Sequence, residues 1–120
     1  MNIADKIKDD RIYTGNLILA VVSLQVSVKE ALDNFPKDSE DDSLKAAWHA
    51  ITHFEADEDI RAKDPEYAKE QNLYLEMLAE MLKNGDELPI NIINEYKEFY
   101  QDAYLPTFKN TLKRLFRFIN

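Results

Sequence analysis

Apolar residues recur along the chain at spacings of three and four, which is the period of one helix face. The pattern predicts helices in segment one (about residues 12–34), segment two (43–63) and segment three (65–84). Segment four opens after Pro89, and segment five follows Pro106. In segment one, the predicted buried stripe consists of Leu17, Val21, Leu24, Val28, Ala31 and Phe35.

Residues that stop or cap helices lie between these segments. Pro36 ends segment one, and the acidic run at 38–42 suits the start of segment two, because Asp and Ser cap helix N-termini. Asp64 followed by Pro65 is the expected start of segment three, and Gly85 is its expected stop. Because the segments have similar lengths and short connections, they predict an all-α, antiparallel up-and-down four-helix bundle.

Length and composition predict one domain and are compatible with a reducing compartment. A chain of 120 residues supplies one core, so residues 1–120 are expected to form a single helical-bundle domain. The stripes of the last two segments point in different directions, which predicts a last helix kinked or split at Pro106. The absence of cysteine and the charged first ten residues favour a cytoplasmic protein. The most apolar stretch, residues 17–28, is too short for a membrane span.

The net charge of −8 disfavours nucleic acid as a partner, and it is unevenly distributed. All 23 acidic residues but only 11 of the 15 basic ones lie in residues 1–102, which leaves −12 there and +4 in residues 103–120. This basic, aromatic end is a candidate partner contact formed by Lys109, Lys113, Arg114, Arg117 and Phe118. An immunity-type protein that recognises its partner through this helix is one alternative. An ordinary amphipathic helix, with cations that complement its dipole, explains the same residues.

His49, His53 and Asp57 follow one another at four-residue intervals, a spacing that suits a divalent metal ion on one side of a helix. The chain has only these two histidines, and alanine stands where di-iron bundles place glutamate three residues before each. The helical phase also puts both histidines opposite the apolar stripe of segment two, facing solvent or a partner. We therefore expect no bound metal ion and no cofactor.

Glu55 and Glu58 form an E-x-x-E pair whose helical phase points towards the core. The pair resembles half of the magnesium site of all-α nucleotide pyrophosphohydrolases, which add an E-x-x-D on the next helix. The E-x-x-D within reach, Glu30 to Asp33, precedes the pair and points away from the core stripe. A magnesium-dependent phosphohydrolase is thus an alternative. The favoured interpretation is two structural carboxylates satisfied by neighbouring polar groups.

Segment one has a second apolar side, formed by Leu19, Val22 and Val26. A helix in a simple bundle needs only one apolar stripe. Either this helix is buried on two sides of the monomer, or its second side contacts another subunit. The sequence therefore favours a non-enzymatic bundle that acts through protein contacts, with a homodimer built on these three residues.

Overall fold

The computed structural model describes residues 2–102, and the regular secondary structure within this range is entirely helical. The helices are α1 (Ile3–Val22), α2 (Val28–Asn34), α3 (Asp42–Ala56), α4 (Glu58–Lys63), α5 (Pro65–Lys83) and α6 (Ile90–Asp102). The all-α class is confirmed, whereas a four-helix bundle is not. Segment five and the predicted break at Pro106 lie outside the described residues.

The prediction of one continuous helix in segment one is wrong, because α1 and α2 are separate helices joined by residues 23–27. Ser23 is the C-cap of α1, and Leu24 then takes a left-handed backbone conformation with φ of 64°. Ser27 starts α2 by accepting a 3.1 Å hydrogen bond from the Glu30 N–H. The chain reverses direction at this turn, which we call the α1–α2 turn.

Segment two is also interrupted: α3 ends at Ala56, and the short helix α4 begins at Glu58. Predictions for the later segments agree better with the structure. Asp64 caps α5 by accepting a 3.2 Å hydrogen bond from the Tyr67 N–H, and Pro65 is the first helical residue. The predicted start of α6 after Pro89 is confirmed as well.

Helix α1 packs most extensively along α5, and the two run antiparallel, since Gly15 lies against Ala79 and Lys83 while Arg11 donates to the Gly85 carbonyl at 3.1 Å. A Cβ at Gly15 would lie 2.5 Å from the Lys83 nitrogen and 2.6 Å from the Ala79 oxygen. The absence of a side chain at Gly15 therefore sets how closely these backbones approach.

Helix α3 lies at the centre of the described structure, in contact with α1, α2, α5 and α6. It runs parallel to α6, because the Leu88 N–H donates to Ser43 Oγ at 2.9 Å near the start of both helices and Phe99 reaches His53 further along. The fully buried side chains at the heart of this packing include Ile18, Leu44, Ile51, Leu75, Leu78 and Leu82.

An ion pair connects α1 with the start of α3. The Arg11 guanidinium donates to both carboxylate oxygens of Asp41 at 2.8 Å, the bidentate geometry that gives such pairs directional strength. This contact ties α1 to the N-terminus of α3. No helix within residues 2–102 is long and apolar enough to cross a membrane.

Candidate functional site

The two histidines lie inside the protein, so the prediction that they face solvent or a partner is wrong. His49 and His53 are only 2% and 3% exposed, with ring centroids 4.6 Å apart. The prediction assumed that only one side of α3 is buried. Helix α6 covers a second side, where the ring centroids of Phe99 and His49 are 4.5 Å apart. A central helix that is buried on several sides can carry buried polar residues away from its main apolar stripe.

Burial controls the protonation of this pair. It lowers the pKa of His49 to about 3, and the charge of His53 adds to the shift. Burial also lowers the pKa of His53, with Asp57 acting in the opposite direction. Both imidazoles are therefore neutral at pH 7, packed among aromatic rings rather than presented to a ligand.

Asp57 is buried but turned towards α5 instead of joining the histidines in a ligand set. Its Oδ2 accepts from the Tyr67 hydroxyl at 2.7 Å and from Gln71 Nε2 at 3.0 Å. Burial, together with the Asp57 carboxylate, raises the pKa of the Tyr67 hydroxyl, which keeps it a donor. Across residues 2–102, no group of three or more His, Asp or Glu side chains is arranged to hold a metal ion.

Arg61 extends this polar network across the junction between α3 and α4. It donates to the Phe54 carbonyl and, at 3.0 Å, to Gln71 Oε1. Its guanidinium also lies 3.5 Å from the centre of the Phe54 ring, a cation–π contact. The arrangement binds the end of α3 to α5, so these polar side chains hold helices together.

Glu55 and Glu58 are exposed, so the prediction that they point towards the core is wrong. Their helical phase matches that of Leu44 and Ile51, which are fully buried. At the C-terminal end of α3, however, α1 no longer runs alongside, because α1 ends at Val22. Helix α3 itself ends just before Asp57. The two carboxylates therefore border an open groove.

This groove, which we call the turn groove, has a volume of about 540 Å³ and lies between the α1–α2 turn, the end of α3, helix α4 and the first half of α5. Its apolar surface comes from the turn and from Phe54, while charged side chains form the rim. Its lining includes Val22, Val26, Lys29, Glu55, Glu58 and Arg61. Leu24, at the tip of the turn, also borders it.

Leu24 is the least expected residue of this surface, since the sequence pattern placed it on the buried stripe of segment one. It is 91% exposed and has left-handed backbone angles. The Gln25 N–H donates to the Ala20 carbonyl at 2.8 Å, which defines a Schellman helix end with Leu24 in the position that usually holds glycine. The polar residues Ser23, Gln25 and Ser27 around Leu24 are the sequence signal that could have indicated a turn.

Helix α5 ends with the same hydrogen-bond pattern and provides an internal comparison. The Asp86 N–H donates to the Met81 carbonyl at 3.0 Å, and the left-handed position is occupied by Gly85, with φ of 81°. The same backbone motif therefore contains glycine in one helix and an exposed leucine in the other.

The predicted interface residues Leu19, Val22 and Val26 all lie around the α1–α2 turn. Each is partly buried and packs against the core, so the monomer covers part of the second apolar side. Leu19 and Val22 also line a second groove, beside Glu76 of α5, and Val22 and Val26 line the turn groove. Val22 is common to both grooves, and Leu24 lines the turn groove with Val22 and Val26.

The candidate contact residues of the basic C-terminal segment, Lys109, Lys113, Arg114, Arg117 and Phe118, lie outside the described residues.

Comparisons of the chain with protein-family models, curated proteins and solved structures found no match.

Proposed function

We propose that this protein acts through protein–protein contacts and that the α1–α2 turn joins two copies into a homodimer. The observation that carries the proposal is Leu24, a leucine in a strained backbone position whose side chain is 91% exposed. The turn needs a left-handed residue at this position, but glycine would supply it without strain, and strained residues cluster at sites that contact another molecule.

The energetics of Leu24 favour a partner. A left-handed conformation costs an L-residue about 1–2 kcal/mol. Leaving a leucine side chain in water forgoes a further 1.5–3 kcal/mol, roughly, compared with burying it. Glycine would make the same helix-end hydrogen bonds without either cost, as Gly85 does, whereas insertion of Leu24 into an apolar groove of a partner would offset both.

A second copy of the chain is a suitable partner, because the surface combines a protruding tip and a groove of matching chemistry. In a two-fold contact, the same patch meets itself, so Leu24 of each copy can enter the turn groove of the other. The rim contains both signs of charge, with Lys29 and Arg61 beside Glu55 and Glu58. Two-fold pairing can set each cation against a carboxylate of the partner copy.

The proposal includes the remaining sequence-based expectations. It takes residues 1–120 as one helical domain in the cytoplasm, with a function that depends on the dimer rather than on a metal ion or cofactor. The exposed pair Glu55 and Glu58 is then part of the interface rim rather than a magnesium site.

Sedimentation velocity over a range of concentrations tests the dimer. The native protein should sediment as a dimer and Leu24→Asn as a folded monomer, because Asn tolerates the left-handed conformation but lacks the apolar side chain. Ile90→Asn is the matched control. Ile90 is the first residue of α6, is 70% exposed, and lies near the N-terminal end of α3, away from the turn groove. A native protein that stays monomeric, or a Leu24→Asn variant that dimerises like the control, would refute the proposal.

A further inference from the structure

A second pocket, of about 360 Å³, lies beside the first half of α3, between the α2–α3 connection and α6. This volume is near the lower end of the range of roughly 300–1,000 Å³ typical of small-molecule sites. Aromatic rings form its walls and polar side chains surround its opening. The aromatic residues are Phe35, Trp48 and Tyr96, and the polar residues include Lys37, Ser39 and Lys45.

The walls suit a flat, apolar ligand. Phe35 and Trp48 meet edge to face, with centroids 5.3 Å apart, so the walls are held in place by their own packing. Tyr96 approaches from α6 and adds a third ring. A planar ring that enters this pocket finds aromatic surface on more than one side.

The charges at the pocket favour an anion. Both charged side chains that line it are lysines, although residues 1–102 carry a net charge of −12. The Lys37 ammonium lies 5.7 Å from the centre of the Trp48 ring, directly beside the aromatic wall. Two cations at the opening of an aromatic pocket are complementary to a ring that bears a carboxylate.

Lys45 already has a carboxylate partner, which lies outside the pocket lining. Lys45 Nζ lies 3.2 Å from Glu40 Oε2, and the Glu40 side chain is 92% exposed. An ion pair this exposed contributes little to folding stability. A ligand carboxylate can therefore replace the Glu40 carboxylate at Lys45 without disturbing the fold.

We propose that this pocket binds a small aromatic acid, of one or two rings with a single carboxylate, which places its ring against Trp48 and its carboxylate on Lys45. The site is separate from the turn groove and does not depend on dimer formation. In this arrangement Glu40 competes with the ligand for Lys45.

Titration with 2-naphthoate, using 2-naphthamide as its neutral analogue, tests the site. Trp48 is the sole tryptophan of the chain, so one indole N–H cross-peak in a ¹H–¹⁵N spectrum reports on the pocket. We expect 2-naphthoate to shift this peak and to bind about tenfold more tightly than 2-naphthamide, the effect of one charge-assisted hydrogen bond. An unmoved peak at millimolar 2-naphthoate, or equal affinities for acid and amide, would overturn the proposal.

Two variants with opposite expected effects sharpen the test. Lys45→Gln should weaken 2-naphthoate binding about tenfold and leave 2-naphthamide unchanged, whereas Glu40→Gln should strengthen 2-naphthoate binding by about two- to fivefold, because it frees Lys45. Lys69→Gln, the same change at an exposed position of α5, is the control and should have no effect. A Glu40→Gln variant that binds 2-naphthoate more weakly than the native protein contradicts the proposed competition.

Discussion

Leu24 and Gly85 occupy equivalent positions at the ends of α1 and α5, each with a positive φ and the hydrogen bonds of a Schellman motif. Glycine adopts this conformation at no steric cost, while leucine does not. The chain therefore contains both the relaxed and the strained form of one backbone motif, which allows the strain to be measured by exchange of side chains.

Replacement of Leu24 by glycine should stabilise the monomer. Relief of roughly 1–2 kcal/mol of strain, partly offset by the greater freedom of glycine in the unfolded chain, should raise the free energy of unfolding by about 0.5–1 kcal/mol. Urea denaturation, at a concentration where native protein and variant are both monomeric, measures the change.

A substitution that introduces strain at Gly85 is the control for that experiment. Gly85→Ala should lower the free energy of unfolding, because it introduces strain at φ of 81° and brings a Cβ to 2.9 Å from the Lys8 side chain. A loss of stability in Leu24→Gly would show that the leucine stabilises the monomer, and the argument for a partner would fail.

The buried histidines predict acid sensitivity. The pKa of His49 is about 3 in the folded protein, against about 6.5 in the unfolded chain, so the unfolded chain takes up the proton first as the pH falls. The contribution of His49 is complete above pH 6.5 and is lost progressively below it. Between pH 7 and pH 5, it should lower the free energy of unfolding by about 2 kcal/mol.

Urea denaturation at several pH values tests this origin of the acid sensitivity. His49→Leu should remove about 2 kcal/mol of the change between pH 7 and pH 5, whatever its effect on stability at pH 7. Burial also lowers the pKa of His53, so a smaller pH dependence should remain in the variant. An unfolding free energy that is independent of pH in the native protein, or a variant whose change between pH 7 and pH 5 is as large as that of the native protein, would show that His49 is not buried in its neutral form.

At the level of helices, the contact between α1 and α5 depends on Gly15. Helix propensity alone predicts that Gly15→Ala stabilises α1 by about 1 kcal/mol. The close approach of Lys83 and Ala79 predicts the opposite, a loss of about 2–3 kcal/mol, because backbone atoms cannot move aside as side chains can. Thermal or urea denaturation decides between the two signs.

The neighbouring position provides the control for the α1–α5 contact. Asn16 is exposed, so Asn16→Ala should change the stability by no more than about 0.5 kcal/mol. If Gly15→Ala is as mild as Asn16→Ala, the helices are not in the close contact described.

The helices that could be predicted from sequence are those with explicit start and stop residues. Asp64, Pro65 and Gly85 delimit α5 through local chemistry, so its limits are readable from the sequence. The division between α1 and α2 is not, because no glycine or proline marks the turn and the apolar spacing continues across it. The reversal there depends on tertiary packing of both helices against α3.

The candidate site was predictable in part for the same reason. The excess of apolar residues at Leu19, Val22 and Val26 predicts an interface in this region, and all three are partly buried in the monomer. The predictions that Leu24 and Glu58 are buried are wrong. They extended the apolar periodicity of one helix past its end, which lies at Val22 for Leu24 and at Ala56 for Glu58. The burial of His49 depends on α6, nearly 50 residues later in the chain, and leaves no local signal.

On the scale of the whole molecule, the two proposed contact surfaces lie at different ends of α3. The turn groove borders its C-terminal end at Glu55, and the aromatic pocket borders its N-terminal half at Lys45 and Trp48. Substitutions at one surface leave the other intact. Dimer formation and ligand binding can therefore be tested separately in the same protein.

The central claim, that Leu24 of one copy enters the turn groove of another, is tested most directly by paramagnetic relaxation between copies. The chain has no cysteine, so Gln25→Cys, at an exposed position beside Leu24, carries a single nitroxide label. When labelled protein is mixed with ¹⁵N-labelled native protein, we predict selective broadening of the amide signals of Val26, Glu55 and Glu58. A label at Ile90→Cys, which is exposed near the N-terminal end of α3 and away from the turn groove, should leave these signals sharp. Unchanged groove signals with the Gln25→Cys label, or broadening confined to another surface, would contradict the proposed dimer.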